Sequence, residues 1–309
     1  MARKLRVQYP GAIYHIMNRG DRREPIFHDN KDRELFLQTL GEACQKTDWQ
    51  AHAWCLMSNH FHLVAETPRA NLAAGMKWFL GTYTSRFNRR HKEFGHLFSG
   101  RYKALLVDGS GNGYLKTVCD YVHLNPVRAK LLRAEQKLAD FPWSSYREYL
   151  RAPGQRPDWL RVDRLLGEWG IPRDSSAGRE QFELLVETRR AAGDPKAIRK
   201  IERGWCYGSE AFRQELLQQM EQSFGVHHGG VEKQETAEAK ASRLLSEQMD
   251  ELNLRVEELA ESRASDPRKL KIAQRLRRET TMTWDWIAER LAMGSGAYAA
   301  NCVRAGGVE

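Results

Sequence analysis

Residues 50–66, Gln50-Ala-His-Ala-Trp-Cys-Leu-Met57-Ser-Asn59-His60-Phe-His-Leu-Val-Ala-Glu66, decide the fold class. Two runs typical of strands, 50–56 and 60–66, flank Met57-Ser58-Asn59, which is turn material, so a β-hairpin is expected. Strand side chains alternate between the two faces of a sheet. His60 and His62 therefore share one face, while Phe61 points to the core.

The segments around the hairpin extend it to a layered α+β pattern. Strands are predicted at 11–19 and 102–107, and helices at 30–47, 71–91 and about 114–124. Asn30 or Asp32 is the expected N-cap of the first helix. Asn125-Pro126 is expected to end the third helix, because the residue before a proline disfavours the α region. The order β-α-β-β-α-β-α predicts an antiparallel sheet flanked by helices.

The chain is expected to have three parts: an α+β domain at 1–150, a connector with short helices at 151–230, and a mainly α-helical C-terminal region at 231–309. A helix is predicted at 208–224, and His227-His-Gly-Gly230 is a predicted break. Residues 231–262 have one apolar stripe, which fits a single amphipathic helix or a helical pair.

The last segment has its own signal. Residues 284–291, 293–296 and 297–304 have the pattern helix, glycine turn, helix, and a basic stretch precedes them. This predicts a DNA-binding helix-turn-helix over 266–304, although a small helical hairpin that packs on its neighbour fits almost as well.

Composition excludes several classes of protein. The chain has 309 residues, is 41% hydrophobic and 29% charged, and its five cysteines form no CxxC pair. Neither a disulfide framework nor a cysteine zinc site is indicated, and no run approaches the length of a membrane span. Residues 1–150 contain 23 Lys/Arg against 14 Asp/Glu, whereas the rest is neutral. A basic half favours a polyanion, and usually nucleic acid, as partner.

The paired histidines are the first candidate site. Two imidazoles side by side on a strand can chelate one divalent ion, although an HxH triplet alone fits two ordinary polar-face histidines equally well. Ser58, Asn59 and Glu66 are placed to orient the rings or the ion.

Tyr121 is the second candidate. Asn125 follows it by four residues, so a helix would stack the two side chains on one face. A tyrosine hydroxyl beside a metal-bound phosphate can act as a nucleophile, and an asparagine carbonyl can complete the ligand set. Most half-buried helical tyrosines are packing residues, and Tyr114, Tyr102 and Tyr83 fit that description better.

Basic side chains near these motifs are candidate DNA contacts, because such clusters usually bind phosphates. They are Arg19, Arg22, Arg23, Arg86, Arg89, Arg90, Arg101, Lys103, Lys116 and Arg128. Trp54, Trp78 and Phe98 offer stacking surfaces for unpaired bases, but the apolar spacing around the two tryptophans favours the core.

Two paired motifs resemble a known family. Ser58-Asn-His-Phe-His62, followed by Tyr121-Val-His-Leu-Asn-Pro-Val-Arg-Ala129, is similar to the single-tyrosine HUH transposases, and within them to the REP-associated tyrosine transposases. Tyr14 to Gly20 and Gly100 to Lys103 agree, so the resemblance covers roughly residues 5–150. It implies an HUH nuclease fold with a ferredoxin-like, RRM-like core.

The resemblance also implies a reaction. His60, His62 and Asn125 would hold Mg²⁺ or Mn²⁺, with Asn125 the least secure since the third ligand varies in the family. Tyr121 would attack a DNA phosphate and become joined to the 5′ end. The substrate would be single-stranded or hairpin DNA, and the protein a monomer or homodimer in the bacterial cytoplasm, associated with the nucleoid and not with a membrane.

Two other functions remain open from the sequence. A rolling-circle HUH initiator or relaxase would need a second tyrosine at i+4 or a helicase segment, and neither is seen. A DNA-binding regulator without cleavage activity would need no catalytic set, yet all the expected residue types are present.

Overall fold

A computed structural model describes residues 7–192, 195–223 and 231–305. Its five-stranded sheet has the order β2-β3-β1-β4-β5. The strands are β1 (Ala12–Arg19), β2 (Gln50–Leu56), β3 (His60–Thr67), β4 (Lys103–Val107) and β5 (Cys206–Tyr207). The predicted hairpin is present as β2 and β3, and it lies at one side of the sheet.

The sheet is mixed, although an antiparallel sheet was expected. β1 pairs antiparallel with β3 and with β4, but β4 pairs in parallel with β5. A two-residue strand is too short to show the alternating pattern from which strands are predicted. The four strands from the N-terminal part alone have the expected antiparallel order, and the α+β class is confirmed.

Helices cover both faces of the sheet and continue through the connector and the C-terminal part of the described chain. The first group is α1 (Asn30–Thr47), α2 (Leu72–His91), α3 (Tyr114–His123), α4 (Asn125–Arg128), α5 (Tyr146–Leu150), α6 (Asp163–Glu168) and α7 (Ser176–Ala192). The second group is α8 (Pro195–Arg203), α9 (Glu210–Ser223), α10 (Val231–Glu251), α11 (Val256–Glu261), α12 (Pro267–Glu279), α13 (Trp284–Arg290) and α14 (Gly296–Ala305).

Side-chain alternation along the strands builds two separate cores. Phe61 and Leu63 of β3 pack with α1 and α2 on one face, whereas Val64 packs with α3 on the other. The second core also contains buried residues of the connector, including Phe182 of α7 and Ile201 of α8. α7 has 17 residues, so the connector contains more than the short helices expected. The boundaries at 150 and 230 stay predictions.

The first helix has the predicted bounds 30–47, but its N-cap is not one of the two predicted residues. Asp29 is the N-cap, and its Oδ1 accepts a hydrogen bond from the Asp32 amide at 3.0 Å. The predicted caps Asn30 and Asp32 are therefore both wrong. The Asp32 side chain is fully buried, and it accepts a hydrogen bond from the His28 amide instead.

The C-terminal helices have a third core of their own. α10 and α11 form the helical pair, and α12, α13 and α14 pack together through residues such as Ile272, Ile287 and Ala299. Lys46 of α1 contacts this unit, because its Nζ donates to the carbonyl oxygens of Arg277 and Arg278 at the end of α12. The predicted break at His227-His-Gly-Gly230 lies outside the described residues. No helix in the described part of the chain is long and apolar enough to cross a membrane.

Candidate active site

The paired histidines lie at the start of β3, on the face of the sheet that carries the second core. Their ring centroids are 5.1 Å apart, so the two imidazoles share a face as predicted. His62 is only 2% exposed, whereas His60 is half-buried. Nδ1 of His60 is 2.8 Å from Oδ1 of Asn59. An amide oxygen can only accept, so Nδ1 of His60 carries the proton and Nε2 keeps its lone pair for a ligand.

His15 is a third histidine at this site, and it was not predicted from the sequence. Antiparallel pairing of β1 with β3 places Met17 opposite His62, which brings His15 onto the same face. The rings of His15 and His62 stack with centroids 5.1 Å apart, and Nε2 of His15 is 2.9 Å from Nδ1 of His62. Histidines 47 residues apart give no local pattern, so only the strand register could have found this contact.

All three imidazoles favour the neutral form that binds metals. Burial lowers the pKa of His15 to about 4, and burial together with Arg19 lowers the pKa of His60 to about 4. The pKa of His62 is also well below its usual value, first because of burial and then because of the neighbouring histidines. Protons therefore do not compete for these nitrogens near neutral pH.

Tyr121 lies against the histidines. Its ring centroid is 5.6 Å from that of His62 and 5.5 Å from that of His15, with edge-to-face geometry in both cases. The guanidinium of Arg128 stacks over the Tyr121 ring at 4.4 Å and donates to the Tyr121 carbonyl oxygen at 2.7 Å. α3 therefore brings the predicted nucleophile to the predicted metal pair.

Asn125 is near Tyr121 but does not share its helix. α3 ends at His123, and Asn125 begins the separate short helix α4, with Pro126 in its first turn. Asn125 is 9% exposed, and its Nδ2 has no hydrogen-bond partner among the residues described. An unpaired buried amide nitrogen is costly unless a ligand or water satisfies it, and Asn125 also lies close enough to Tyr121 to lower the pKa of its hydroxyl.

Burial and neighbouring groups shift the pKa of Tyr121 in opposite directions. Burial raises the pKa of Tyr121 most, and the carboxylate of Glu202 in α8 adds to that rise. The cation of Arg128 and the neighbouring Asn125 act in the opposite direction. The hydroxyl is thus protonated at neutral pH and has to lose its proton during any attack. Glu202 was not predicted as a neighbour of Tyr121, because it lies on α8, which begins 74 residues after Tyr121 in the sequence.

The basic candidates fall into two groups. Arg19, Arg22 and Arg23 border the histidines: Arg19 affects the pKa of His60, and the Arg23 carbonyl oxygen accepts from Asn59 Nδ2 at 3.0 Å. Among the candidates without a strong acidic partner, the exposed residues are Arg22, Arg23, Arg89, Arg101, Lys103 and Arg128.

Three predicted DNA contacts have other partners. Arg86 makes a two-bond ion pair with Glu42 at 2.7 and 2.9 Å, and Arg90 pairs with Asp29 and Asp32. Arg86 thus joins α2 to the middle of α1, and Arg90 joins α2 to the start of α1. Nζ of Lys116 lies 5.0 Å from the Trp169 ring and 3.4 Å from the Glu168 carbonyl oxygen. These side chains stabilise the fold, which argues against the predicted role in binding phosphates.

Other predicted neighbours also differ. Glu66 does not orient the metal pair, because its Oε2 contacts Arg164 at 2.7 Å and His52 at 3.2 Å. Trp54 and Phe98 belong to the first core at 3% and 8% exposure, so they offer no face for stacking.

One histidine and carboxylate group lies away from this site. Within the ranges the structure describes, His28, Asp32 and His91 are the only such group with ligand atoms close enough to hold an ion. Nη1 of Arg90 is 2.5 Å from Asp32 Oδ1 and 3.0 Å from His91 Nε2. A guanidinium therefore already supplies the positive charge there.

Asp120 gives a prediction about pH and stability. Its carboxyl is 4% exposed, and Nε of Arg189 is 3.3 Å from Oδ2. Burial raises the pKa of Asp120 to about 7, although Arg189 and Lys116 oppose the rise. Between about pH 4 and 7 the folded chain keeps a proton that the unfolded chain has released, so this group stabilises less as pH rises.

Asp120→Asn is therefore expected to raise the free energy of unfolding at pH 8 by roughly 1–3 kcal/mol and to flatten its decline between about pH 4 and 7. Denaturant titrations at several pH values measure this. The control is Asp158→Asn, since Asp158 is exposed. A pH dependence that stays parallel to that of the wild type would contradict the prediction.

The chain is similar to one protein family and to a solved structure. Residues 8–125 match the sequence model of the family described as "Transposase IS200 like". A structure of "the REP associates tyrosine transposase bound to a REP hairpin" is 14% identical, with 53% of this chain and 93% of that chain covered at a TM-score of 0.41. No curated protein matches the sequence.

The family match includes His15, His60, His62, Tyr121 and Asn125 and excludes the connector and the C-terminal helices. Residues 8–125 are thus similar to the IS200-like transposase family, in agreement with the resemblance that the two motifs carry.

Proposed function

We propose that the protein cleaves single-stranded DNA next to a hairpin and transfers the strand through a covalent 5′-phosphotyrosine, with Mg²⁺ or Mn²⁺ bound at the active site. The observation that carries the proposal is the contact of Tyr121 with His62, at 5.6 Å between ring centroids. The two residues lie on different elements, β3 and α3, and were chosen as nucleophile and ligand from separate motifs.

The donor set fits a divalent ion. Nε2 of His60 and His62 and the amide oxygen of Asn125 supply two nitrogens and one oxygen, and none of them carries a charge. Such a set suits Mn²⁺ as well as Mg²⁺ and leaves positions for phosphate oxygens. A bound ion would polarise the scissile phosphate and stabilise the leaving oxygen.

The chain's own residues supply the rest of the reaction. The Tyr121 oxygen bonds to phosphorus as the bond from phosphorus to the 3′ oxygen breaks; the tyrosine proton goes to water, and the 3′ oxygen takes up a proton. Arg128 holds the ring by stacking and by its bond to the Tyr121 carbonyl oxygen. The phosphotyrosine keeps the phosphodiester energy, so rejoining needs no nucleotide cofactor.

The test is to incubate the protein with a labelled single strand that carries a hairpin. We expect a protein–DNA adduct that resists denaturation, and a free 3′ hydroxyl end, in Mg²⁺ or Mn²⁺ but not in EDTA. Hairpin binding without an adduct in either metal would overturn the proposal and favour a DNA-binding regulator.

We also propose that α13 and α14 bind duplex DNA as a helix-turn-helix. The exposed side chains of α14 include Tyr298, Asn301 and Arg304, and Nη2 of Arg304 donates to Oδ1 of Asn301 at 2.7 Å. Arginine and asparagine are the side chains that pair with two atoms of guanine and adenine. Residues 266–305 contain eight Lys/Arg and four Asp/Glu, whereas 231–265 contain five and nine. Six of these eight cations lie on α12, which precedes the proposed helix-turn-helix, and one, Arg304, lies on α14.

Arg304→Ala is expected to weaken binding to duplexes selected from a randomised library by roughly 5- to 100-fold. Fluorescence anisotropy measures the affinity, and Arg255→Ala serves as control because Arg255 is exposed in the acidic part of the same unit. Equal losses in both variants, or none in Arg304→Ala, would contradict a specific role for α14.

A further inference from the structure

We propose that Phe94 is a stacking surface for an unpaired base of the DNA strand that enters the active site. The inference rests on the proposed function and names a contact that it does not include. Phe94 is 96% exposed, against 69% for Leu184 and Val256, the next most exposed large apolar residues described. A single exposed apolar side chain is common on protein surfaces, so its surroundings have to decide its role.

The loop that carries Phe94 is ordered by bonds to α2. The Glu93 amide donates to the Asn88 carbonyl oxygen at 2.9 Å, and Asn88 Nδ2 donates to the Gly95 carbonyl oxygen at 3.1 Å. Lys92 and Gly95 have φ of 58° and 95°, so left-handed residues turn the chain on both sides of the tip. Phe94 is therefore held outward at low entropic cost, as a binding residue needs to be.

The same loop is joined to the active site through the backbone. The Asp21 amide donates to the Leu97 carbonyl oxygen at 3.0 Å, and the Ser99 amide donates to the Arg19 carbonyl oxygen at 2.8 Å. The Gly20 amide in turn donates to the carbonyl oxygen of Asn59, the residue that orients His60. Two backbone segments thus connect Phe94 with the predicted metal pair.

Exposed cations lie on both of the backbone segments that connect Phe94 with the predicted metal pair. Arg22 and Arg23 are exposed next to Gly20, and Arg89 and Lys92 are exposed at the end of α2. Cations that follow a backbone, with an aromatic face between them, are the general design of single-strand binding surfaces. Each base presents a π face, so such a contact carries little sequence preference.

Single-stranded nucleic acid fits this surface better than a protein partner does. Apolar docking needs a contiguous apolar patch of several hundred square ångströms. Here the neighbours of Phe94 in the loop are Lys92, Glu93, Gly95 and His96, which are polar or lack a side chain, and all four are exposed. One aromatic ring among charges matches a stacked base next to phosphates.

The test measures binding of the full chain to a mixed-sequence single-stranded oligonucleotide in EDTA, so that no cleavage occurs. Phe94→Ala is expected to lower the affinity by roughly 5- to 100-fold, and Phe94→Trp to retain or raise it. Phe94→Leu should behave like Phe94→Ala, because leucine is apolar but has no π face. Leu184→Ala, another exposed apolar truncation, is the control and should bind like the wild type.

Three results would overturn the inference: wild-type affinity in Phe94→Ala, full rescue by Phe94→Leu, or an equal loss of affinity for fully paired duplex. Because the substituted side chain is exposed, a thermal unfolding curve should be unchanged in all variants. The binding assay has an outcome whether or not an adduct forms, so failure of this inference is distinguishable from failure of the proposed cleavage.

Discussion

Tyr121→Phe is expected to lower the rate of covalent adduct formation by at least about 10³-fold while the protein remains folded. The substitution removes one oxygen and keeps the ring, whose contacts with His62, His15 and Arg128 are made by its faces and edges. Loss of activity would thus be a loss of the attacking atom. The measurement is the yield of denaturation-resistant adduct with a labelled hairpin-bearing strand in Mg²⁺.

The chain offers a matched control on the same helix. Tyr114 begins α3, and its ring packs edge-on against Tyr207 at 5.4 Å between centroids. Tyr114→Phe removes the same atom and should leave the adduct yield within about twofold of the wild type, since no bond to phosphorus depends on that hydroxyl. An adduct undiminished in Tyr121→Phe would sink the assignment of the nucleophile, and a similar loss in both variants would indicate a fold effect.

The site residues whose position could be predicted from local patterns lie close together in the sequence. His60 and His62 follow from strand alternation, because two residues of one strand need only local geometry to share a face. Tyr121 follows from a second local motif, and the helix around it is present within one residue of its expected end. Only the family resemblance predicted that Tyr121 lies near the two histidines, because no local pattern indicates a contact between β3 and α3.

The residues that were missed reach the site by long-range pairing. His15 arrives through the register of β1 on β3, and Glu202 arrives on α8, which packs against α3. β5 was missed because its two residues show no alternating pattern and because its partner β4 is about 100 residues earlier. The acidic partners of Arg86 and Arg90 could not be predicted either, because the charge of a side chain in the sequence does not show which residues the fold brings next to it.

Removal of one metal ligand is the second large effect. We expect His62→Ala to weaken Mn²⁺ binding by at least about 100-fold and to abolish the adduct, because the site would keep one imidazole and a neutral amide. The loss of free Mn²⁺ signal in electron paramagnetic resonance measures the affinity without any DNA. His96→Ala is the control: His96 is exposed on the loop after α2 and should not alter the titration.

The hydrogen bond between His15 and His62 gives a further prediction about metal affinity, because it affects which nitrogen of His62 carries the proton. Its Nε2 is 2.9 Å from Nδ1 of His62, so one of the two nitrogens carries the shared proton. If His62 donates from Nδ1, its Nε2 keeps the lone pair that a metal needs; if His15 donates, Nε2 of His62 is protonated and cannot bind. Metal binding therefore selects the tautomer in which His15 accepts.

His15→Phe keeps an aromatic ring in the buried position but removes the acceptor. Nδ1 of His62 then loses its partner, the tautomer with a free Nε2 is no longer favoured, and Mn²⁺ affinity should fall by about 10- to 100-fold, less than in His62→Ala. A purely structural role for His15 would instead lower the unfolding temperature and leave the affinity of the folded fraction unchanged. Because the same resonance titration reports on all three variants, the order wild type, His15→Phe, His62→Ala decides whether His15 positions a ligand or only fills the core.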